Sequence, residues 1–261
     1  MKKFTKSDIF TAIALLLFLF CFTIPTVAFY KVPEKIAKTG VDEIPSFVFP
    51  MWNFYQKGRY VSPYAPQGAA NDLRQMIERK GEIGMMSFPV WAVRLEAPNY
   101  PVEAFPNGIP VYFHFDGYSG DVHEMNTINH FIGMYPMEAG AKIERMLSPF
   151  ILIVTSLMMI LFFVFRGKWS SLLMVAPILF PAGFFAFYVG WLYWYGHNLQ
   201  EWGMFKVKPF MPTALGDGKV AQFITHSYPS IGFYILLMIS ALCIIAVLSR
   251  GKEIAQQAKR G

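Results

Sequence analysis

The residues best suited to chemistry in this chain are histidines and methionines in one short segment. The group comprises His114, His123, His130, Met134 and Met137. An imidazole nitrogen binds zinc, copper, iron or nickel, whereas the methionine thioether selects Cu(I). The ligand types therefore favour a metal site, with copper as the expected metal. The alternative at each position is structural, since a histidine commonly forms hydrogen bonds and a methionine commonly fills a core.

The spacing of these residues gives them different roles in such a site. On a helix that begins near residue 120, His130 and Met134 lie one turn apart and can face the same ion. His123 lies two turns before His130, about 10 Å along the axis, so it belongs elsewhere unless the chain bends. Met137 and His114 are the candidates for completing the ligand set.

Two other histidines support an alternative. His197 and His226 follow the third apolar run and precede the fourth, at the same expected depth. Such a pair could hold a haem or border a quinone site. A third hypothesis is an assembly scaffold in which the histidines form a packing network without metal. The sequence contains no nucleophile–base pair, phosphate loop or carboxylate dyad, so we expect an accessory protein rather than an enzyme.

The elements that precede the predicted site are a mixture of irregular structure, helix and strand within residues 31–147. Frequent proline and glycine predict irregular structure over 31–70, followed by a short helix over 71–81. Alternating apolar residues predict two strands, at 88–96 and 109–115. A domain of this size needs helices or a membrane surface to cover so small a sheet.

The element that carries most of the candidate ligands is a predicted helix. It begins after Gly120 with Asp121 as its cap, and Gly133 marks its end. A final amphipathic helix from residue 137 is expected to continue directly into the second apolar run. The predicted site would then lie just above a membrane.

Four apolar runs indicate a membrane protein. Hydrophobic residues make up 54% of the chain and charged residues 15%. The runs cover about 9–30, 148–165, 170–195 and 229–248, each near the roughly 20 residues that span a bilayer. None contains an acidic or basic residue, so ion pumping is not expected. Gly183 and Gly190 in the third run are expected to permit close helix packing.

The predicted fold is an α-helical integral membrane protein with four transmembrane helices. A small α+β extracytoplasmic domain is expected between helices 1 and 2. The predicted divisions are 1–30 (stub and first helix), 31–147 (outer domain), 148–195 (helical hairpin), 196–228 (outer loop) and 229–261 (fourth helix and tail). The first run contains a weak cleavage-like site at Thr26-Val27-Ala28, but its length favours a retained anchor.

Basic residues close to the runs predict the orientation. They are Lys2, Lys3, Lys6, Arg166, Lys168, Arg250, Lys252, Lys259 and Arg260. The positive-inside rule places both termini in the cytoplasm. The net charge of +6 is then a topology signal, and no nucleic-acid partner is expected. Cys21 and Cys243 both lie in apolar runs, so no disulfide is expected in the outer segments.

Several short segments carry a family resemblance. They are 97–101 (APNYP), Gly108, Gly120-Asp121, Glu124, Asn126, 129–134 (NHFIGM), 216–223 (GDGKVAQF), His226, Tyr228 and Pro229. Together they resemble multi-span bacterial membrane proteins encoded beside atypical, Sec-exported nitrous oxide reductases. The resemblance implies a bacterial inner membrane location. It also implies a periplasmic or membrane-bound respiratory copper enzyme, or its assembly factors, as partner, and it directs attention to His130 and Met134.

Overall fold

Long helices dominate the computed structural model, which describes residues 4–30, 87–98, 105–167 and 169–258. Within these ranges four helical segments are long and apolar enough to cross a membrane. They are Lys6–Ala28, Lys142–Val164, Ser170–His197 and Ile231–Gln256. The four predicted apolar helices are therefore confirmed. The irregular segment predicted at 31–70 and the helix predicted at 71–81 lie outside the described residues.

A proline shapes the first of these helices. It consists of α1 (Lys6–Phe18), a π-helical turn (Leu19–Thr23) and α2 (Ile24–Phe29). Pro25 has no N–H to donate to the carbonyl of Cys21, four residues earlier. That carbonyl instead accepts a hydrogen bond from the Phe88 backbone N–H, at 3.0 Å. The irregular turn thus fastens the chain that enters the sheet to the end of the first helix.

Among the described residues, an antiparallel sheet of five strands covers this end of the bundle. In chain order the strands are β1 (Trp91–Glu96), β2 (Ile109–Phe113), β3 (Tyr118–Gly120), β4 (Gly216–Val220) and β5 (Phe223–Pro229). Their order across the sheet is β3-β2-β1-β5-β4. Val93 of β1 lies opposite Val111 of β2 on one side and Ser227 of β5 on the other.

The sheet confirms two predicted strands and also includes part of the segment that was predicted to be the outer loop. β1 and β2 form where the alternation predicted them. The segment 196–228, expected to be a separate loop, supplies β4 and most of β5. The reason is that β5 pairs with the whole length of β1, from Trp91 opposite Pro229 to Glu96 opposite Ile224. This long-range pairing gives a polar stretch its strand conformation.

The helix α3 (Val122–Ile132) packs one face against the sheet and ends as predicted. Gly133 follows it in the left-handed region, with φ of 86°. Met125, Ile128 and Ile132 are buried on the packed face. Phe131, next to Ile132 in sequence, is exposed.

The expected continuous helix from residue 137 is wrong. A 3-10 turn (Met137–Ala139) is followed by Ala141 at φ of 50°, and α4 begins only at Lys142 (Lys142–Val164). Tyr195 explains the break. Its hydroxyl accepts a hydrogen bond from the Gly140 N–H at 2.9 Å and donates one to the Met137 carbonyl at 2.6 Å. A side chain at Gly140 would collide with that hydroxyl.

The remaining helices leave the bundle open on one side. After a 3-10 turn (Ser170–Met174) come α5 (Val175–His197) and α6 (Ile231–Ala258). α6 packs extensively on α1 and α5, and α1 packs on α4, whereas α4 and α5 make little direct contact. A gap therefore remains between α4 and α5, below the sheet.

Charged residues close the opposite end of the bundle. Asp8 is buried and pairs with Arg166 at 2.6 Å and Arg250 at 3.2 Å. Only 3% of the Arg250 side chain is exposed. From the sequence, both arginines were interpreted as signals of membrane orientation, and the membrane spans were predicted to contain no charged residue. The helices in fact extend beyond the apolar runs and enclose an ion-paired cluster.

Candidate functional site

His114 is placed as a structural residue between two elements. Its ring is buried, with Nδ1 2.8 Å from the Ser87 carbonyl oxygen and Nε2 2.8 Å from the Ser119 hydroxyl. A carbonyl oxygen only accepts, so Nδ1 carries a proton, while the Ser119 hydroxyl can either donate to Nε2 or accept from it. Both nitrogens are therefore engaged, and a metal could bind only if one hydrogen bond broke.

His130 and Met134 are four residues apart in sequence but have different surroundings. Helix α3 ends at Ile132, and the left-handed Gly133 turns the chain before Met134. The exposed His130 ring stacks on Trp202, with centroids 6.2 Å apart and planes at 15°. Met134 is half-buried and packs against the apolar cluster under the sheet. The helix that was expected to place both side chains on one face ends before Met134.

Met137 lies in the same apolar cluster as Met134. It is 7% exposed, and its backbone N–H donates to the Asn126 side-chain oxygen at 2.9 Å. His123 lies on α3, but its side chain is outside the described part of the structure. Across the described ranges, no group of three or more histidine, cysteine or acidic side chains is arranged to hold a metal ion.

His197 and His226, predicted as a haem or quinone pair, have separate partners. The His197 ring stacks on Tyr193 with centroids 3.8 Å apart, and its Nδ1 lies 2.9 Å from the Tyr193 carbonyl oxygen. His226 is held by carboxylates on the sheet. The hydrogen bonds and ring contacts of the two histidines have no residue in common.

His226 is the centre of a polar cluster on the outer face of the sheet. Its Nδ1 lies 2.7 Å from Asp217 Oδ1 and its Nε2 lies 3.1 Å from Glu96 Oε1. Tyr228 also donates to Asp217 Oδ1, at 2.9 Å. The hydrogen bond to Asp217 raises the pKa of His226, and the hydrogen bond from His226 lowers the pKa of Asp217. The cluster thus links β1, β5 and β4 through a cationic imidazole.

An apolar cavity of about 480 Å³ lies beneath the sheet. Its walls are the inner sheet face, the packed face of α3, the start of α4 and one side of α5. The α5 side forms a continuous stripe: Ala176, Leu179, Phe180, Gly183, Phe184, Phe187, Tyr188, Trp191, Leu192 and Tyr195. Such a volume is within the range of small-molecule sites.

Two glycines of α5, Gly183 and Gly190, make no close contact with another helix. An added Cβ at Gly183 or at Gly190 would meet no atom within 4 Å. The predicted close helix packing at these two positions is therefore wrong. Gly183 lines the cavity, whereas Gly190 is absent from its lining.

Tyrosine hydroxyls at the cavity wall already have partners. Tyr188 bonds the Ser227 hydroxyl at 2.9 Å, and Trp91 Nε1 donates to the same hydroxyl at 2.8 Å. Ser227 in turn donates to the Ala214 carbonyl at 2.9 Å. The Arg145 guanidinium lies over the Tyr118 ring, 4.9 Å from its centroid. These groups stiffen the wall of the cavity.

Asn129 is different, because its side chain has no hydrogen-bond partner within the described residues. It is 8% exposed and lines the cavity on the face of α3 that also carries Met125, Ile128 and Ile132. Helical periodicity does not identify Asn129 as a binding residue. The same sequence position could place the amide against a cavity or against a hydrogen-bonding partner.

The comparisons with known proteins add no relative. No protein-family model, curated protein or solved structure matches this chain.

Proposed function

We propose that this protein is a multi-pass membrane accessory protein that binds a lipid-soluble small molecule. The observation that carries the proposal is the apolar cavity between the sheet, α3, α4 and α5. The described residues border this space without filling it, whereas protein interiors are normally close-packed. A ligand from the bilayer would replace the missing contacts.

The position of the cavity supports entry from lipid. The cavity follows α5 from Ala176 to Tyr195, about 28 Å at 1.5 Å per residue. That length is close to the thickness of the hydrocarbon core of a bilayer. The small contact between α4 and α5 provides a lateral route. A molecule dissolved in the membrane would therefore reach the site without crossing water.

A pair of glycine variants tests this proposal. Gly183→Leu should fill part of the cavity, since an added Cβ there meets no atom within 4 Å, and Gly190→Leu is its matched control on the same helix. Both proteins would be purified in detergent, and binding of a fluorescent apolar probe would be titrated. We expect at least about tenfold weaker binding for Gly183→Leu alone, equivalent to about 1.4 kcal/mol. Equal affinities in all three proteins would reject the cavity as the binding site.

Copper handling is a second candidate, favoured by three thioethers. Met125, Met134 and Met137 all line the same cavity, and thioether sulfur prefers Cu(I). His114 lines the cavity too, but both of its ring nitrogens are hydrogen-bonded, so this version of the site depends on the methionines. Elemental analysis after anaerobic Cu(I) loading would test it. We expect one bound copper, lost in the Met134→Leu, Met137→Leu double variant; metal-free protein after loading would reject the proposal.

The proposed setting for either activity is support of a respiratory copper enzyme, as the family resemblance implies. Affinity capture from cells respiring nitrous oxide would test the partner. Recovery of the reductase or its assembly factors with the wild-type protein is the expected result. A pure assembly scaffold would retain this partner in the Gly183→Leu variant while binding no small molecule.

A further inference from the structure

We infer that the bound molecule is a quinone, and that the Asn129 amide donates a hydrogen bond to one of its ring carbonyl oxygens. This inference rests on the proposed function and specifies its ligand. Asn129 is 92% buried, faces the cavity and has no hydrogen-bond partner among the described residues. An isolated amide in an apolar wall is costly unless something pairs with it.

The electrostatics of the wall favour a neutral head group. The ionisable lining residues Glu144 and Arg145 carry opposite charges, and Glu144 is exposed. Both ring nitrogens of His114 are already engaged in hydrogen bonds to Ser87 and Ser119. No excess charge therefore faces the cavity from these residues to balance an anionic or cationic ligand. A ring carbonyl satisfies the amide N–H without bringing a charge into a site of low polarity.

The shape and composition of the wall favour a flat ring with a long tail. Phe180, Phe184, Phe187 and Trp191 lie along the α5 stripe. Aromatic side chains stack on planar rings in offset or edge-to-face arrangements. The stripe continues for about 28 Å, so it can accommodate an isoprenoid tail beside the ring. An acyl ester of a phospholipid shares the carbonyl and the tail but lacks the planar ring.

The test compares a quinone that carries a short isoprenoid tail with an isoprenoid hydrocarbon of equal length. The purified full chain in lipid nanodiscs would be titrated with each, and quenching of tryptophan fluorescence would report the quinone. Displacement of the fluorescent apolar probe would report both. The variants are Asn129→Leu and Gly183→Leu, with Gly190→Leu as the control.

We expect Asn129→Leu to weaken quinone binding about tenfold and to leave hydrocarbon binding unchanged. The same variant should unfold at an equal or higher temperature than the wild type, because it removes a buried amide that lacks a partner. A purely structural role for Asn129 would instead lower that temperature.

The outcomes separate this inference from the proposed function. Hydrocarbon and quinone binding that is equally strong, insensitive to Asn129→Leu and reduced by Gly183→Leu would overturn the quinone assignment alone. A phospholipid that co-purifies and resists displacement by the quinone would also overturn it. Absence of binding by both probes would overturn the inference and the proposed function together.

Discussion

Replacing Arg250 with methionine should destabilise the bundle strongly, because this guanidinium connects three helices at one end. Nη2 pairs with Asp8 of α1 at 3.2 Å, and Nε donates to the Ser7 hydroxyl at 3.2 Å. Nη1 donates to the Phe162 and Phe165 carbonyls at the end of α4, at 3.2 and 3.0 Å. Those carbonyls belong to the helix end, where no intrahelical N–H is available.

The magnitude follows from what the substitution leaves behind. Each buried polar group that loses its partner costs about 1–3 kcal/mol. Asp8 would keep Arg166, so its charge would not be isolated. Removing one partner of a buried ion pair typically costs about 3–5 kcal/mol, and we expect a loss near the lower limit. Lys252→Met, at an exposed position of the same helix, should change stability by less than about 0.5 kcal/mol.

The assay is reversible unfolding of the detergent-solubilised protein, followed by circular dichroism. The Asp8→Leu, Arg250→Met double variant should lose at least about 1 kcal/mol less than the sum of the two single variants, because the residues are in contact. A loss below about 1 kcal/mol for Arg250→Met, the value typical of an exposed ion pair, would refute the reasoning. Additive losses in the double variant would refute the direct coupling.

Two further predictions concern the sheet. The pKa of His226 is raised in the folded state, so its ion pairs stabilise the fold fully below pH 6.5, the ordinary histidine pKa, and this stabilisation is lost as pH rises through the higher folded-state pKa. His226→Gln should therefore lower Tm near pH 5.5 and have little effect near pH 9. Equal effects on Tm at both pH values would contradict the cluster. Ser227→Ala should cost about 2–3 kcal/mol, because Trp91 Nε1 and the Tyr188 hydroxyl lose a buried partner; Ser230→Ala, at a half-buried position near the end of β5, is the control, and unchanged thermal unfolding of Ser227→Ala would contradict the network.

The sequence predicted those elements whose signal is local. Hydrophobic run length identified the four helices, and alternation identified β1 and β2. Gly133 was recognised as a helix end because glycine readily adopts the left-handed conformation found there. These features depend on a few adjacent residues, so a single sequence contains enough information for them.

The features that the sequence missed depend on residues far apart in the chain. β5 is a strand because β1 pairs with it, and Ala141 breaks a helical pattern because Tyr195 bonds the backbone on either side of Gly140. Arg250 is buried because Asp8 and the α4 carbonyls meet it. The cavity is likewise absent from the sequence pattern, since a stripe on α5 that faces empty space has the same composition as one that faces another helix.

The candidate ligand site changed for the same reason. His130 and Met134 were grouped by a helical spacing that ends at Gly133. Asn129, one residue before His130, is the polar side chain that the fold directs into the cavity. Its importance follows from its position at the cavity without a hydrogen-bond partner among the described residues, and a sequence does not record such a position.

The central position of β1 has a consequence for biogenesis. β1 has β2 as an early neighbour, but its other neighbour, β5, is synthesised only after α4 and α5. Until then one edge of β1 carries unpaired backbone groups, which is a hazard for association with other chains. Domains form as their segments emerge from the ribosome, so the sheet above the cavity is completed only after β5 has been synthesised. A chain truncated before residue 223 would insert its first three long helices yet present an open sheet edge to chaperones and proteases.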